Sequence, residues 1–185
     1  MAWLSMASPI PMSYNRTQMG MQFPILGVIL HTTNHSAGAE TIQRFRNDWQ
    51  AAQKQSAHFV IDRSGNIGQC RNTTAVAWHM NMHSIRYIGV EHISKLDTPL
   101  TSAQIEASGQ LLAWCSDNLN IPLQLLSGKG QPGIGIHSQF ESTYCGRKAF
   151  WVGTTKGAGQ FGEIIETARS YVQFGLYDYG QRAAP

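Results

Sequence analysis

Apolar residues fall along this chain in short runs and helical stripes, not in long blocks. The run Ile25, Leu26, Gly27, Val28, Ile29 and Leu30 is nearly continuous and rich in β-branched residues, and it predicts a buried strand ending at His31. After a polar loop over 32–38, Ile42, Phe45, Trp49 and Ala52 recur at helical spacing, which predicts a helix over about 39–53. Residues 57–61 and 66–70 read as the two strands of a hairpin around the turn Asp62, Arg63, Ser64, Gly65. Residues 87–92 read as another strand. Thr101 followed by Gln104 has the form of a capping box, and Ile105, Leu111, Leu112, Cys115 and Leu119 carry a helix that stops before Pro122. Residues 123–126 make a short strand candidate, 127–133 a loop, and Ile164, Ile165, Ala168 and Val172 predict a closing helix over 163–174.

Strands alternating with helices predict an α/β fold, and the hairpin makes its sheet mixed. A length of 185 residues, 42% of them hydrophobic and 14% charged, suits a single domain with a mixed central β-sheet flanked by helices. The expected limits are an irregular N-terminal arm over 1–22, a catalytic domain over 23–175 and a C-terminal tail over 176–185. The formal charge of +3 is spread over scattered Lys and Arg, which argues against a nucleic-acid partner. No stretch is apolar enough to span a membrane. The first positive charge comes only at Arg16, and Pro9 and Pro11 interrupt the N-terminus, so no signal peptide is expected and the protein is made in the cytoplasm. Three cysteines are a poor disulfide framework; Cys70 and Cys115 read as small core hydrophobes.

The chemistry-bearing residues are thinly spread. His31 closes a buried strand, His137 follows the short run Ile134, Gly135, Ile136, and Cys145 lies on the irregular segment beyond it. Two imidazoles and a thiolate would give zinc three protein ligands and leave a fourth position for water. The alternative is that each is an ordinary hydrogen-bonded structural side chain. Glu91, at the end of the strand over 87–92, is either the proton acceptor such a centre needs or a plain strand-end carboxylate.

Several motifs in order add to these observations. They are Val28 to Thr32 around His31, Ser56 to Gly65 with its Ala57, His58, Phe59 core, Ala77-Trp78-His79, Ile88 to Glu91, and His137 with Cys145. Together they resemble the zinc-dependent N-acetylmuramoyl-L-alanine amidases, the superfamily of amidase-type phage lysozymes, cell-wall recycling amidases and peptidoglycan recognition proteins. The resemblance runs from about residue 25 to 145. It implies a mixed sheet flanked by helices, a Zn2+ cofactor, a peptidoglycan (muropeptide) substrate and hydrolysis of the amide between N-acetylmuramic acid and L-alanine.

Carried over by position, His31, His137 and Cys145 match the metal ligands, and Glu91 matches the carboxylate base of the recycling branch. Ala57 stands where the phage branch has a tyrosine. Thr143 matches a residue that aids the developing oxyanion, with Arg147 or Lys148 as alternative sources of positive charge, and Gly146 replaces a proline. Trp78 and His79 match a pair that lines the substrate groove. His58 reads as a buried structural histidine, and His35, His83 and His92 as surface residues. The resemblance leaves three roles: a phage endolysin, a delivered antibacterial effector with a cognate immunity protein, both acting on the periplasmic wall, or a cytoplasmic recycling enzyme. Rival readings are a non-catalytic peptidoglycan-binding module and a zinc peptidase cutting within the stem peptide.

Overall fold

The computed structural model describes residues 3–12, 20–21, 23–34, 41–52, 56–95, 98–143, 145 and 159–176, with backbone alone over 48–52. Among the described residues, six strands and three α-helices follow in the order β1 (Ser8–Pro9), β2 (Gly27–Thr32), α1 (Ile42–Ala52), β3 (Phe59–Ile61), β4 (Ile67–Gln69), β5 (Tyr87–His92), α2 (Ser102–Leu119), β6 (Gly133–Ile136) and α3 (Gln160–Phe174). The sheet order is β1-β4-β3-β5-β2-β6. Of these strand pairs the β3–β4 hairpin is antiparallel and the others are parallel, so the expected mixed sheet is present in a single domain.

The side-chain alternation of β2 separates two faces. Val28 and Leu30 point into the main core, with Leu111, Leu112 and Cys115 of α2 and Ile164, Ile165 and Ala168 of α3. Ile29 points the other way, towards Met80, Tyr87, Leu126 and Phe140. His31, two residues on, shares that second face, opposite α2 and α3.

The capping box that begins α2 is complete: the Thr101 hydroxyl accepts from Gln104 N, and Gln104 Oε1 accepts from Thr101 N. Asn120 in the left-handed region, φ 55°, ends the helix. Within α2, Gly109 allows α3 to approach, since a β-carbon there would stand 2.4 Å from Thr167 Cγ2.

Two sequence readings need correction. The arm proposed for 1–22 is in part a sheet edge: β1 pairs with β4, Ile10 N donates to Gln69 O, and Leu4, Ala7, Ile10 and Met12 are buried. The strand proposed over 123–126 reduces to one bridge, Leu125 to Ile134, and the true strand is β6, whose alternating glycines weaken the strand pattern. A 3-10 turn over Asn81–Arg86 precedes β5. The proposed tail beyond residue 176 lies outside the described residues, as do His35, Gly146, Arg147 and Lys148. Among the described residues no helix is long and apolar enough to cross a membrane.

Candidate metal centre

Three parallel strands carry the candidate residues to one edge of the sheet. His31 and Glu91 are register partners on β2 and β5, so their side chains rise from the same face side by side. Leu30 pairs with Ile136, the last residue of β6, which delivers His137 beside His31. The His31 and His137 ring centroids are 4.8 Å apart. Crevices at the carboxyl ends of parallel strands are the usual ligand positions in such sheets.

Cys145 is brought back to β2 by its backbone partners. Thr32 N donates to Cys145 Sγ at 3.4 Å, and the thiol lies 3.6 Å from Thr32 O and 3.6 Å from His31 Nδ1. Cys145 N donates to Thr143 Oγ1 at 3.2 Å, which leaves the Thr143 hydroxyl proton free to point elsewhere. One ligand atom from each of His31, His137 and Cys145 lies within 4.8 Å of the others.

Burial, followed by His79, His137 and His92, pushes His31 well below the usual imidazole range. The ring is therefore neutral, and the 3.8 Å approach of Glu91 Oε1 to His31 Nδ1 is not an ion pair. Burial pushes the Glu91 carboxyl up to about 8 and, with a smaller contribution from Glu91 itself, the Cys145 thiol up to about 12. Among the described residues, buried Glu91 Oε2 has no hydrogen-bond partner. Cys145 Sγ at 3.6 Å and Glu91 Oε1 at 3.8 Å both approach His31 Nδ1, which gathers a sulfur and a carboxyl oxygen around one ring nitrogen. Two imidazoles and one thiol are three protein ligands, the number that fits zinc in a catalytic rather than a structural coordination.

Around this group stands a shell that sequence reasoning placed differently or missed. His79 is buried and its two ring nitrogens meet His31 Nε2 at 2.9 Å and the Tyr87 carbonyl at 3.1 Å. His137 Nε2 lies 3.1 Å from Glu141 Oε2, and Glu141 Oε1 accepts from Asn81 Nδ2 at 2.8 Å. Partial burial raises the Glu141 carboxyl, but the hydrogen bonds from Asn81 and His137, followed by the charges of His137 and His83, hold it below its usual range. Glu141 and Asn81 were not singled out by the sequence; the four-residue step from His137 to Glu141 was the available signal.

Trp78 is half-buried against the main core, and its backbone N–H donates to Ser56 Oγ at 2.8 Å. His58 is buried, accepting from Gly89 N at 2.9 Å and meeting Ala75 O at 3.0 Å. Two surface assignments fail. His92 is fully buried between the His31 carbonyl and Ser108 of α2, because it falls on the helix-facing side of β5. His83 is half-buried against the ring of Phe140.

The sequence profile of the N-acetylmuramoyl-L-alanine amidases matches residues 21–149, the span that holds His31, Glu91, His137 and Cys145. The chain belongs to the N-acetylmuramoyl-L-alanine amidase family. Among solved structures, this chain is similar to the Staphylococcus aureus hydrolase AmiA in complex with its ligand, at 12% identity and a TM-score of 0.63, over 96% of this chain and 89% of that one. It is similar to the endolysin amidase LysCS of Clostridium intestinale, at 15% identity and a TM-score of 0.59, over 79% of this chain and 90% of that one. It is also similar to peptidoglycan recognition protein-LE bound to tracheal cytotoxin, at 17% identity and a TM-score of 0.62, over 78% and 89%. At such identities the likeness establishes the shared fold. No protein of curated function matches the sequence significantly.

Proposed function

We propose that this amidase is a zinc-dependent peptidoglycan hydrolase that cleaves the amide between N-acetylmuramic acid and the L-alanine of the stem peptide. The observation that carries the reading is the convergence of His31, His137 and Cys145 within 4.8 Å, with Glu91 alongside His31 at 3.8 Å. Zinc on those three side chains would supply a Lewis acid for the scissile carbonyl and an acidified water.

Glu91 is the proton carrier in this proposal. Burial lifts its carboxyl to about 8 in the metal-free protein, and the charge of a bound cation would favour the ionised form that takes a proton from the attacking water and passes it to the leaving L-alanine nitrogen. The Thr143 hydroxyl, anchored by its bond from Cys145 N, donates to the developing oxyanion. Trp78, partly covered by the core, offers an aromatic surface to sugar or stem peptide.

Retention of all three ligands and the carboxylate favours an enzyme over a non-catalytic peptidoglycan-binding module. We further propose a delivered lytic role on the periplasmic wall, either as an endolysin, as one fold relative is named, or as an effector countered by an immunity protein. The test is to measure zinc and product together. About one zinc per chain, with release of free stem peptide from purified cell wall, is expected; a zinc-free protein that binds wall without cutting it would replace this reading with the binding module.

A further inference from the structure

Neither ligand histidine stands alone, and each has one ring nitrogen already committed inside the protein. For His31 the chain of partners ends on the Tyr87 carbonyl, which can only accept. His79 Nε2 therefore carries a proton and donates it there. In the neutral ring, His79 Nδ1 is then an acceptor, and the 2.9 Å contact requires His31 Nε2 to be the donor. His31 Nδ1 is left with a lone pair, and it is Nδ1 that lies 3.6 Å from Cys145 Sγ and 3.8 Å from Glu91.

The His79 ring is held for this purpose from several sides. It lies over Gly89 of β5, where a β-carbon would stand 2.5 Å from His79 Cγ. The backbone on either side of it is pinned by Ser84 Oγ, which accepts from His79 N at 3.1 Å and from Met80 N at 2.7 Å. Both ring nitrogens are engaged, and the side chain is buried, so little of it is available to a substrate.

His137 reaches the same state by another route. Glu141 is acceptor-only as a carboxylate, so His137 Nε2 donates to it and Nδ1 keeps the lone pair. Asn81, which donates to the other oxygen of Glu141, fixes that carboxylate.

We infer that His79 and Glu141 are positioning residues that lock His31 and His137 as Nε2–H tautomers, so that both rings present Nδ1 to the metal, and that His79 is not a substrate contact. The inference rests on the zinc reading proposed above. Outer partners of this kind set ring orientation and ligand basicity, and their loss typically lowers metal affinity by about 10- to 100-fold.

The experiment has one arm that needs no metal. Nitrogen-15 histidine spectra of the metal-free protein are expected to show His31 and His137 protonated at Nε2; an Nδ1–H form of either overturns its half of the inference. The second arm measures zinc affinity by competition with a chromophoric chelator. His79→Leu is expected to bind zinc about 10- to 100-fold more weakly than wild type, while His79→Asn, whose amide oxygen can accept from His31, recovers most of the loss. Glu141→Ala is expected to lose about tenfold or more, and Glu141→Gln to recover part of it. Affinities of His79→Leu and Glu141→Ala within twofold of wild type would overturn the inference while leaving the metal centre intact. Failure of the wild-type protein to bind zinc would instead remove the reading on which it rests.

Discussion

Gly89 lies directly beneath the ring of His79: a β-carbon at position 89 would meet His79 Cγ at 2.5 Å and Nδ1 at 2.8 Å. His31 Nε2 is bonded to that same Nδ1, so a change on β5 reaches a candidate ligand on β2 through one ring. Gly89→Ala is expected to destabilise the fold by about 1–3 kcal/mol through overpacking. It should also weaken zinc binding, as His79 is pushed off its partner. Urea unfolding and a zinc titration on the same preparation check both, and a variant unchanged in either would mean that the ring yields freely.

Glu91 is the group whose loss should separate metal binding from turnover. Glu91→Gln keeps the size of the side chain but removes the proton acceptor. Its zinc content should stay near that of wild type, and its turnover should fall by about 10²- to 10⁴-fold, the usual share of a general base. Full activity in this variant would take Glu91 out of the reaction. Thr143→Val should cost much less, since the hydroxyl is one donor among the aids to the oxyanion.

Histidines buried as neutral rings make the metal-free fold sensitive to acid. Burial holds His58 well below the usual imidazole value, and His92 down at about 4. Below pH 6.5 the unfolded chain binds these protons and the native state does not, so stability is complete above that pH and falls as pH drops towards the native values. Each such ring contributes a slope of up to about 1.4 kcal/mol per pH unit. Urea unfolding of the metal-free protein between pH 7 and pH 5 measures the slope, and His58→Asn should flatten it. Stability that is flat or rises on acidification would show that these rings titrate normally.

The helix that backs the sheet offers a plainer test. Thr101→Ala removes the hydroxyl that accepts from Gln104 N and should cost about 0.5–2 kcal/mol. Leu111→Ala, at a fully buried position between the sheet and α3, should cost about 2–5 kcal/mol. Equal losses from the two substitutions, read by the midpoint of urea unfolding, would contradict the core assignment.

Much of the centre could be read from the sequence because its residues sit at the ends of strongly patterned elements. β5 appears at its predicted limits, the β2 run puts His31 on a buried strand, and α2 carries the capping box its first residues announce. The weaker parts have physical causes. β6 is half glycine, so it lacks the β-branched signal, and β1 is a two-residue edge whose membership depends on β4 far along the chain. The burial of His79, expected in the groove, and of His92, expected at the surface, has one cause. Which side of β5 a ring faces, and whether a carbonyl or a hydroxyl waits there, is decided by tertiary register and not by local pattern. The Glu141 and Asn81 pair depends on the fold in the same way, since the two are sixty residues apart in sequence and meet only beside His137.

The account is tested most directly by mass spectrometry of the products from a defined disaccharide-peptide muropeptide, with the protein as purified, after chelation, and after zinc is restored. The expected result is an intact disaccharide and a free stem peptide beginning at L-alanine, lost on chelation and regained with zinc. A cut within the stem peptide, or undiminished cleavage by protein shown to be free of metal, would contradict it.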